Sequence, residues 1–345
     1  MDIINYLDLV RESVIDFDRC QKTKKVNMNY SSDFDNNSIA CSNLLAKQED
    51  VIIFSPDELE SNGFISVKNS CRVIELLSEQ SCFAWSQGYA AGGGKPVLIT
   101  YEAFAPLFDS LVDQYLKIID ALNNGGDIHP SVNIIITSLG WRNVPSHHNP
   151  SFIDRLIGYN SPYISIFFPL FPESATKYLE ECLRTNTRLN VIAMDKRNLP
   201  YLHNTVKNEK NYGCILRDSS VQNGYILTIV IGDIVAEAVL QAYESLPSNL
   251  KKKIKIIGLE IPMVQLRDDE VIKNSIYNIW IYNGRASAME SVLWRKGLTK
   301  EKNIIMGYMG KTSMPSGNSR LKENQIDADS IAELMKRVFN IVEEA

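Results

Sequence analysis

Residues 97–138 read VLITYEAFAPLFDSLVDQYLKIIDALNNGGDIHPSVNIIITS. Two short apolar runs, VLIT (97–100) and VNIIITS (132–138), flank EAFAPLFDSLVDQYLKIIDAL (102–122), whose apolar residues recur at helical spacing. Strands buried on both faces read as continuous apolar runs, and a helix between two of them is the crossover of a parallel pair. The same rhythm extends outward. VIIF (51–54), ISIFFP (164–169) and LNVIAM (189–194) are predicted strands, and 70–91 and 173–185 predicted helices. The fold class is therefore α/β, a mostly parallel sheet flanked by helices.

A chain of 345 residues suggests two such domains. Residues 203–223 (HNTVKNEKNYGCILRDSSVQN) break the rhythm, and a domain boundary is placed there. Strands and helices then resume with ILTIVIG, IVAEAVLQAYESL, KIKIIGLEI, NIWIYN, NIIMGYM and a final helix at 327–344. The expected division is 1–37, 38–205 and 206–345. In the first part, Ile4, Leu7, Leu9, Val10, Val14 and Phe17 can share one broad helical face over residues 1–20. A polar, Asn/Ser-rich tether follows.

Composition excludes several classes. Hydrophobic residues make up 45% and charged residues 22%, as in ordinary soluble domains. A net charge of -5 offers no phosphate-tracking surface, so no nucleic-acid partner is expected. Lys251, Lys252 and Lys253 read as a solvated strand entry. The six cysteines contain no C-x-x-C pair. That pattern fits free thiols in a reducing cytoplasm. No apolar run reaches the length that spans a bilayer, so no membrane association is expected.

Four local features invite chemistry. GYAAGGGKP (88–96) lacks the first Gly and the hydroxyl of a phosphate loop and reads as a helix end before a strand. FSPDELESN (54–62) follows a predicted strand. Ligands of parallel sheets gather at such carboxyl ends, so Asp57, Glu58 and Ser61 are well placed, although a simple turn cap explains them too. In RVIELLSEQSCFAW (72–85), Glu75 and Glu79 are expected one helical turn apart, usually a solvated face. WRNVPSHHNPSF (141–152) holds His147 and His148. Adjacent histidines rarely face one ion, and no metal ligand is assigned.

Taken in order, FSPDELESN, RVIELLSEQ, ITYEAFAPLFDSLVDQYLK, NIIITSLGWR…SHHNPSF and NVIAMDK resemble the pyrimidine-binding domain of phosphoketolases and, more distantly, of transketolase. NIWIYNG…LWRKG…IIMGYMGKTSMPSGNSR resembles the phosphoketolase C-terminal domain. The resemblance runs from about Ile39 to the end. It implies a thiamine-diphosphate pyrimidine-binding domain at 38–205 and a transketolase C-terminal-like domain at 206–345.

The resemblance also implies roles. These enzymes use thiamine diphosphate, which carries the hard chemistry. A glutamate in an apolar pocket shares a proton with the pyrimidine N1′, and that position falls on Glu79, not Glu75. Tyr101 matches the aromatic residue packed against the pyrimidine. Asp57 matches a cofactor-contacting acid, Glu58 an active-site acid, Ser61 a substrate-phosphate contact and Lys196 a cationic phosphate ligand. His147 matches a substrate-side histidine with a donor or acid–base role; His148 has no counterpart.

Two departures shape the expected function. The family's longer segment between Trp-Arg and Ser-His, with a His-Asn pair that grips phosphate, shrinks here to Asn143, Val144 and Pro145. That implies a different or bulkier substrate and favours transfer over phosphorolysis. The family's separate domain that binds the diphosphate through Mg²⁺ has no matching motif in this sequence. The expected protein is one subunit of a two-component enzyme acting on a ketose-like or ketoacid donor. A diphosphate-binding partner would complete it, as a heterotetramer. The rival reading is a non-catalytic scaffold or regulator of a complete enzyme. A third is a homodimer binding another small ligand between its domains.

Overall fold

The structure is a computed structural model that describes residues 36–69, 72–138, 149–203, 208–210, 213–262, 270–310 and 317–344. The chain divides into two units, residues 1–138 with 161–198, and residues 139–160 with 199–345. The division thus falls at 198/199 rather than at 205/206. Residues 139–160, expected in the first domain, group with the second unit.

The first unit holds six strands: β1 (Val51–Ser55), β2 (Arg72–Glu75), β3 (Lys95–Tyr101), β4 (Val132–Ser138), β5 (Ile164–Phe167) and β6 (Leu189–Asp195). They form one parallel sheet in the order β2-β1-β3-β4-β6-β5. Strands β1, β4 and β6 are buried along their whole length. This burial on both faces is why their sequences carry no polar alternation. Register across the middle is fixed by an amide ladder. Asn190 Nδ2 donates to Asn133 Oδ1 at 2.8 Å, and Asn133 Nδ2 donates to the Pro96 carbonyl at 3.1 Å. A slip of one residue would strand these buried amides.

The helices in chain order begin with α1 (Asn37–Leu45), α2 (Glu79–Ala91), α3 (Asp109–Gly125), α4 (Ser151–Tyr159) and α5 (Pro172–Arg184). Two expectations need correction. The helix predicted over 70–91 begins only at Glu79, and Arg72–Glu75 is a parallel edge strand on β1. Glu75 and Glu79 therefore do not share a helical face. The Ser78 hydroxyl accepts from the Ser81 N–H at 3.2 Å and sets this start. Likewise, the helix predicted from 102 starts at Asp109, after a short 3₁₀ turn at Ala105–Phe108 that begins with Pro106 near its head.

GYAAGGGKP is indeed a helix end. Gly92 caps α2, Gly93 takes φ +87, and β3 begins at Lys95. At Gly94 an added Cβ would stand 2.2 Å from the Tyr89 ring, so a larger residue would have to displace that ring. Beneath, Phe83 of α2 stacks on Phe108 at 5.1 Å and meets Tyr115 of α3 edge-on.

The second unit has β7 (Asn208–Lys210), β8 (Gly213–Arg217), β9 (Tyr225–Ile231), β10 (Ile254–Leu259), β11 (Ser275–Arg285) and β12 (Asn303–Tyr308). Their order is β12-β11-β9-β10-β8-β7. The first four neighbours are parallel, and β8 and β7 add antiparallel strands at one edge. The polar 203–223 stretch thus contains strands as well as connections. The unit's longer helices are α6 (Asp233–Ser245), α7 (Ala286–Arg295), α8 (Gly317–Glu323) and α9 (Ala328–Glu344), and α9 packs on α6.

Helix α4 belongs here because of one carboxylate. Asp154 accepts from the Tyr282 hydroxyl at 2.9 Å and from the Arg285 backbone N–H at 3.1 Å. Arg285 is the cap residue of α7, so Asp154 supplies the N-terminal acceptor that α7 otherwise lacks. Burial pushes the Asp154 carboxyl up to about 6, against the lowering effect of the Arg285 N–H, the Tyr282 hydroxyl and the Arg285 guanidinium. A folded-state value above the ordinary 3.8 means the native state holds the extra proton between the two. This group's contribution to stability is then fully present below about pH 4 and lost as pH rises through about 6. Asp154→Asn keeps the acceptor but removes the titration. Urea unfolding of the variant should therefore lose a slope worth at most about 3 kcal/mol between about pH 4 and 6. Equal pH profiles for the two proteins would contradict this account.

Candidate active site

In the first sheet the chain leaves β1 for β2 on one side and returns to β3 on the other. That reversal opens a crevice at the carboxyl ends of β1 and β3, where open α/β sheets bind ligands. The loop after β1 carries Glu58 into it. Glu58 Oε2 accepts from the Tyr101 backbone N–H at 3.0 Å and from the Thr100 hydroxyl at 3.4 Å. One carboxylate thereby ties the first loop to the end of β3.

From the far side, β6 delivers Lys196. Its ammonium donates to the Ser61 carbonyl at 2.6 Å and lies 4.5 Å from the centroid of the Tyr101 ring. The Lys196 backbone is held twice: its N–H donates to the Ser138 carbonyl, and its carbonyl accepts from the Asn36 side-chain amide at 2.9 Å. Glu79 arrives as the first residue of α2, half-buried.

The electrostatics record how these groups meet. Burial raises the Glu58 carboxyl above its ordinary range, and the negative charge of Glu79 raises it further. The Tyr101 N–H, the Thr100 hydroxyl and the Lys196 charge pull it back without cancelling the rise. Lys196 is lowered, chiefly by burial, while Glu58 and Asp195 oppose that. A carboxyl raised beside a second carboxylate and an ammonium lowered by burial mark this cluster as a candidate functional site.

The structure brings together Glu58, Glu79, Tyr101, Lys196 and the backbone of Ser61. It does not gather every expected group. Asp57 points outward, exposed, with a left-handed φ of 62° that aspartate tolerates better than most residues. The Ser61 hydroxyl donates to the Glu58 carbonyl at 3.0 Å and braces the turn. His147 and His148 lie outside the described residues. Three contributors went unnoticed in the sequence: Thr100, Asn36, and Asn62, whose side-chain oxygen accepts from the Thr137 hydroxyl at 2.7 Å. Thr100 was legible as the polar end of an apolar strand beside Tyr101; the others depend on contacts distant in sequence. Among the described residues no group of three or more His, Cys, Asp or Glu side chains is arranged for a metal ion. No helix among them is long and apolar enough to cross a membrane.

The pyrimidine end of thiamine diphosphate fits this donor set. A half-buried glutamate, a second carboxyl and a ring, Tyr101, with Phe104 6.2 Å away, match what an aromatic aminopyrimidine requires.

Carboxylates at the carboxyl ends of parallel strands make this a candidate ligand site of an α/β fold. Comparison with known proteins shows what the chain resembles. Residues 64–185 match the family described as D-xylulose 5-phosphate/D-fructose 6-phosphate phosphoketolase. A probable phosphoketolase of Synechococcus elongatus is 34% identical over 152 residues, covering 42% of this chain and 19% of that protein. One from Brucella suis is 28% identical over 317 residues, covering 79% of this chain and 40% of that protein. The chain thus spans from a fifth to two fifths of these relatives. Among solved structures, transketolase from Campylobacter jejuni has a TM-score of 0.64 at 13% identity, covering 87% of this chain and 46% of that one. A split-gene transketolase described as an inactive β4 tetramer has a TM-score of 0.61 at 13% identity, covering 86% and 96%. Residues 64–185 are thus similar to phosphoketolases, and the fold of the chain is that of the transketolases.

If Lys196 partly neutralises Glu58, removing it must show in the acid. In Lys196→Met the Glu58 side-chain carbon should titrate at higher pH than in wild type by ¹³C NMR. An unchanged or lower midpoint would remove Lys196 from the electrostatics of the site.

Proposed function

We propose that this chain is one subunit of a two-component, thiamine-diphosphate-dependent enzyme of the transketolase/phosphoketolase type, and that it supplies the pyrimidine half of the active site. The observation that carries this reading is the convergence of Glu58, Glu79, Tyr101 and Lys196 on one crevice. The likeness of the fold to a split-gene transketolase chain, nearly all of which it covers, supports the two-component form. The donor would be a ketose-like or ketoacid substrate, and the product a transferred or released two-carbon unit.

When bound, thiamine diphosphate supplies a nucleophilic carbon and an electron sink. The chain's own residues have separable tasks. Glu79 holds a proton at the pyrimidine N1′. Tyr101, buried itself, would pack against the pyrimidine ring and exclude water from that side. Glu58, its carboxyl raised by burial, can hand a proton to or take one from the donor's oxygen. Lys196 faces the developing negative charge of the donor, released from Ser61 for that purpose. The diphosphate and Mg²⁺ fall to a partner polypeptide in a heterotetramer, a site completed by two different chains.

The direct test is calorimetry with thiamine diphosphate and Mg²⁺, on each chain alone and on the mixture of this chain with a diphosphate-binding polypeptide of the same family. Binding is expected only in the mixture, and Glu79→Gln should lower donor turnover by at least about 100-fold. Turnover indifferent to Glu79, or no binding by any mixture, would leave a scaffold in place of an enzyme.

A further inference from the structure

The two sheets end in four edge strands, and three of them are defended. An exposed edge offers unpaired N–H and C=O groups to any second strand, and charge, shortness or cover blocks that pairing. Strand β2 carries Arg72 and Glu75. Strand β7 has three residues, of which Glu209 and Lys210 are charged. Strand β5 has only four residues, three of them buried. Strand β12 differs. Its six residues, Asn303–Tyr308, include no charge and no proline, and the first four are half-buried. Among the described residues no strand pairs with its outer side.

Helix α7 extends the same edge into an apolar surface. It packs against both β11 and β12. Between α7 and β12 lies a groove lined by Leu293, Trp294, Leu298 and Ile305, with Glu290 and Lys300 as its charged members. Trp294 stands 69% exposed there. The groove joins this indole to the undefended strand, so the apolar residues form one surface rather than scattered positions.

A second copy of this chain fits that surface by symmetry. Twofold pairing of β12 with itself is antiparallel, with the axis normal to the sheet, so both copies keep α7 on the same side. Centred on Ile305, the middle of the run 303–307, it sets Ile304 opposite Met306 of the other copy on either side of the axis. Opposite residues share a face, so apolar side chains meet apolar side chains. Spacing then favours a copy over an unrelated extended peptide. Helix α7 lies over β11 and β12, so its twin would lie two strand spacings away, roughly 10 Å. That is the separation at which helices pack side by side. A lone peptide strand would bring no helix to cover Trp294.

We propose that β12 is a homodimerisation edge, at which two copies join their second sheets into one continuous sheet with the two α7 helices side by side. This pairing stands apart from the chemistry proposed above, and neither requires the other.

Sedimentation equilibrium of the full chain over a range of concentrations tests it. The expected limits are 39.0 kDa and twice that mass. Ile304→Lys or Met306→Glu alone should raise the dissociation constant about tenfold, through the two cross-strand pairs each one spoils. Both changes in one chain set opposite charges across the axis and should restore most of the affinity. Hydrogen exchange on the wild type adds a readout that no variant's folding can disturb. Amides of 303–307 should exchange more slowly at high protein concentration than at low. A monomer at every concentration overturns the proposal. So does a dimer indifferent to the single variants, a double variant as weak as either, or exchange independent of concentration.

Discussion

Glu58 accepting the backbone N–H of Tyr101 is the contact on which the site depends. A loop after a strand has many conformations open to it, and a carboxylate buried without donors would be costly. Here the end of β3 offers an N–H and a hydroxyl at a place where the chain reverses direction across the sheet. The loop is pulled across the crevice, and its Ser61 carbonyl is brought to where Lys196 can reach it. Without this bond, Glu58 and Lys196 would belong to separate, solvated loops.

The same contact explains the balance of charge. Two acids and one ammonium meet in a partly buried space, and neither sign wins outright. Glu58 is raised by burial and by Glu79, while donors from the backbone and Thr100 and the charge of Lys196 oppose the rise. Lys196 is lowered by burial, yet Glu58 and Asp195 hold it back. Asp195 is itself paired with Arg197, so much of its charge is spent beside the site rather than in it.

The second unit is organised by an equally economical device. Helix α4 follows β4 in sequence, but its acid, Asp154, caps α7 and binds Tyr282. The Arg295 guanidinium adds a bond to the Ile157 carbonyl at 3.0 Å. Gly284 is constrained by this packing, since a Cβ there would meet both Asp154 and Tyr282 within about 2.6 Å. A stretch that interrupts the first sheet in sequence is thus committed to the second unit by hydrogen bonds that only a folded β11–α7 junction can offer.

The sequence by itself determined the α/β class, the parallel sheets and most strand positions, because strands buried on both faces must be continuously apolar and their crossover helices amphipathic. It also marked Glu58, Glu79, Tyr101 and Lys196 through their resemblance to a known family's motifs. Tertiary structure alone decided that Arg72–Glu75 is an edge strand, since its partner β1 lies twenty residues away and local spacing looks helical. It alone showed that Asp57 is exposed and that the Ser61 carbonyl meets Lys196, and committed α4 to the second unit. Periodicity reports which face of an element is buried. It carries no information about which distant donor a given carboxylate will meet, and that pairing decides both the site and the unit boundary.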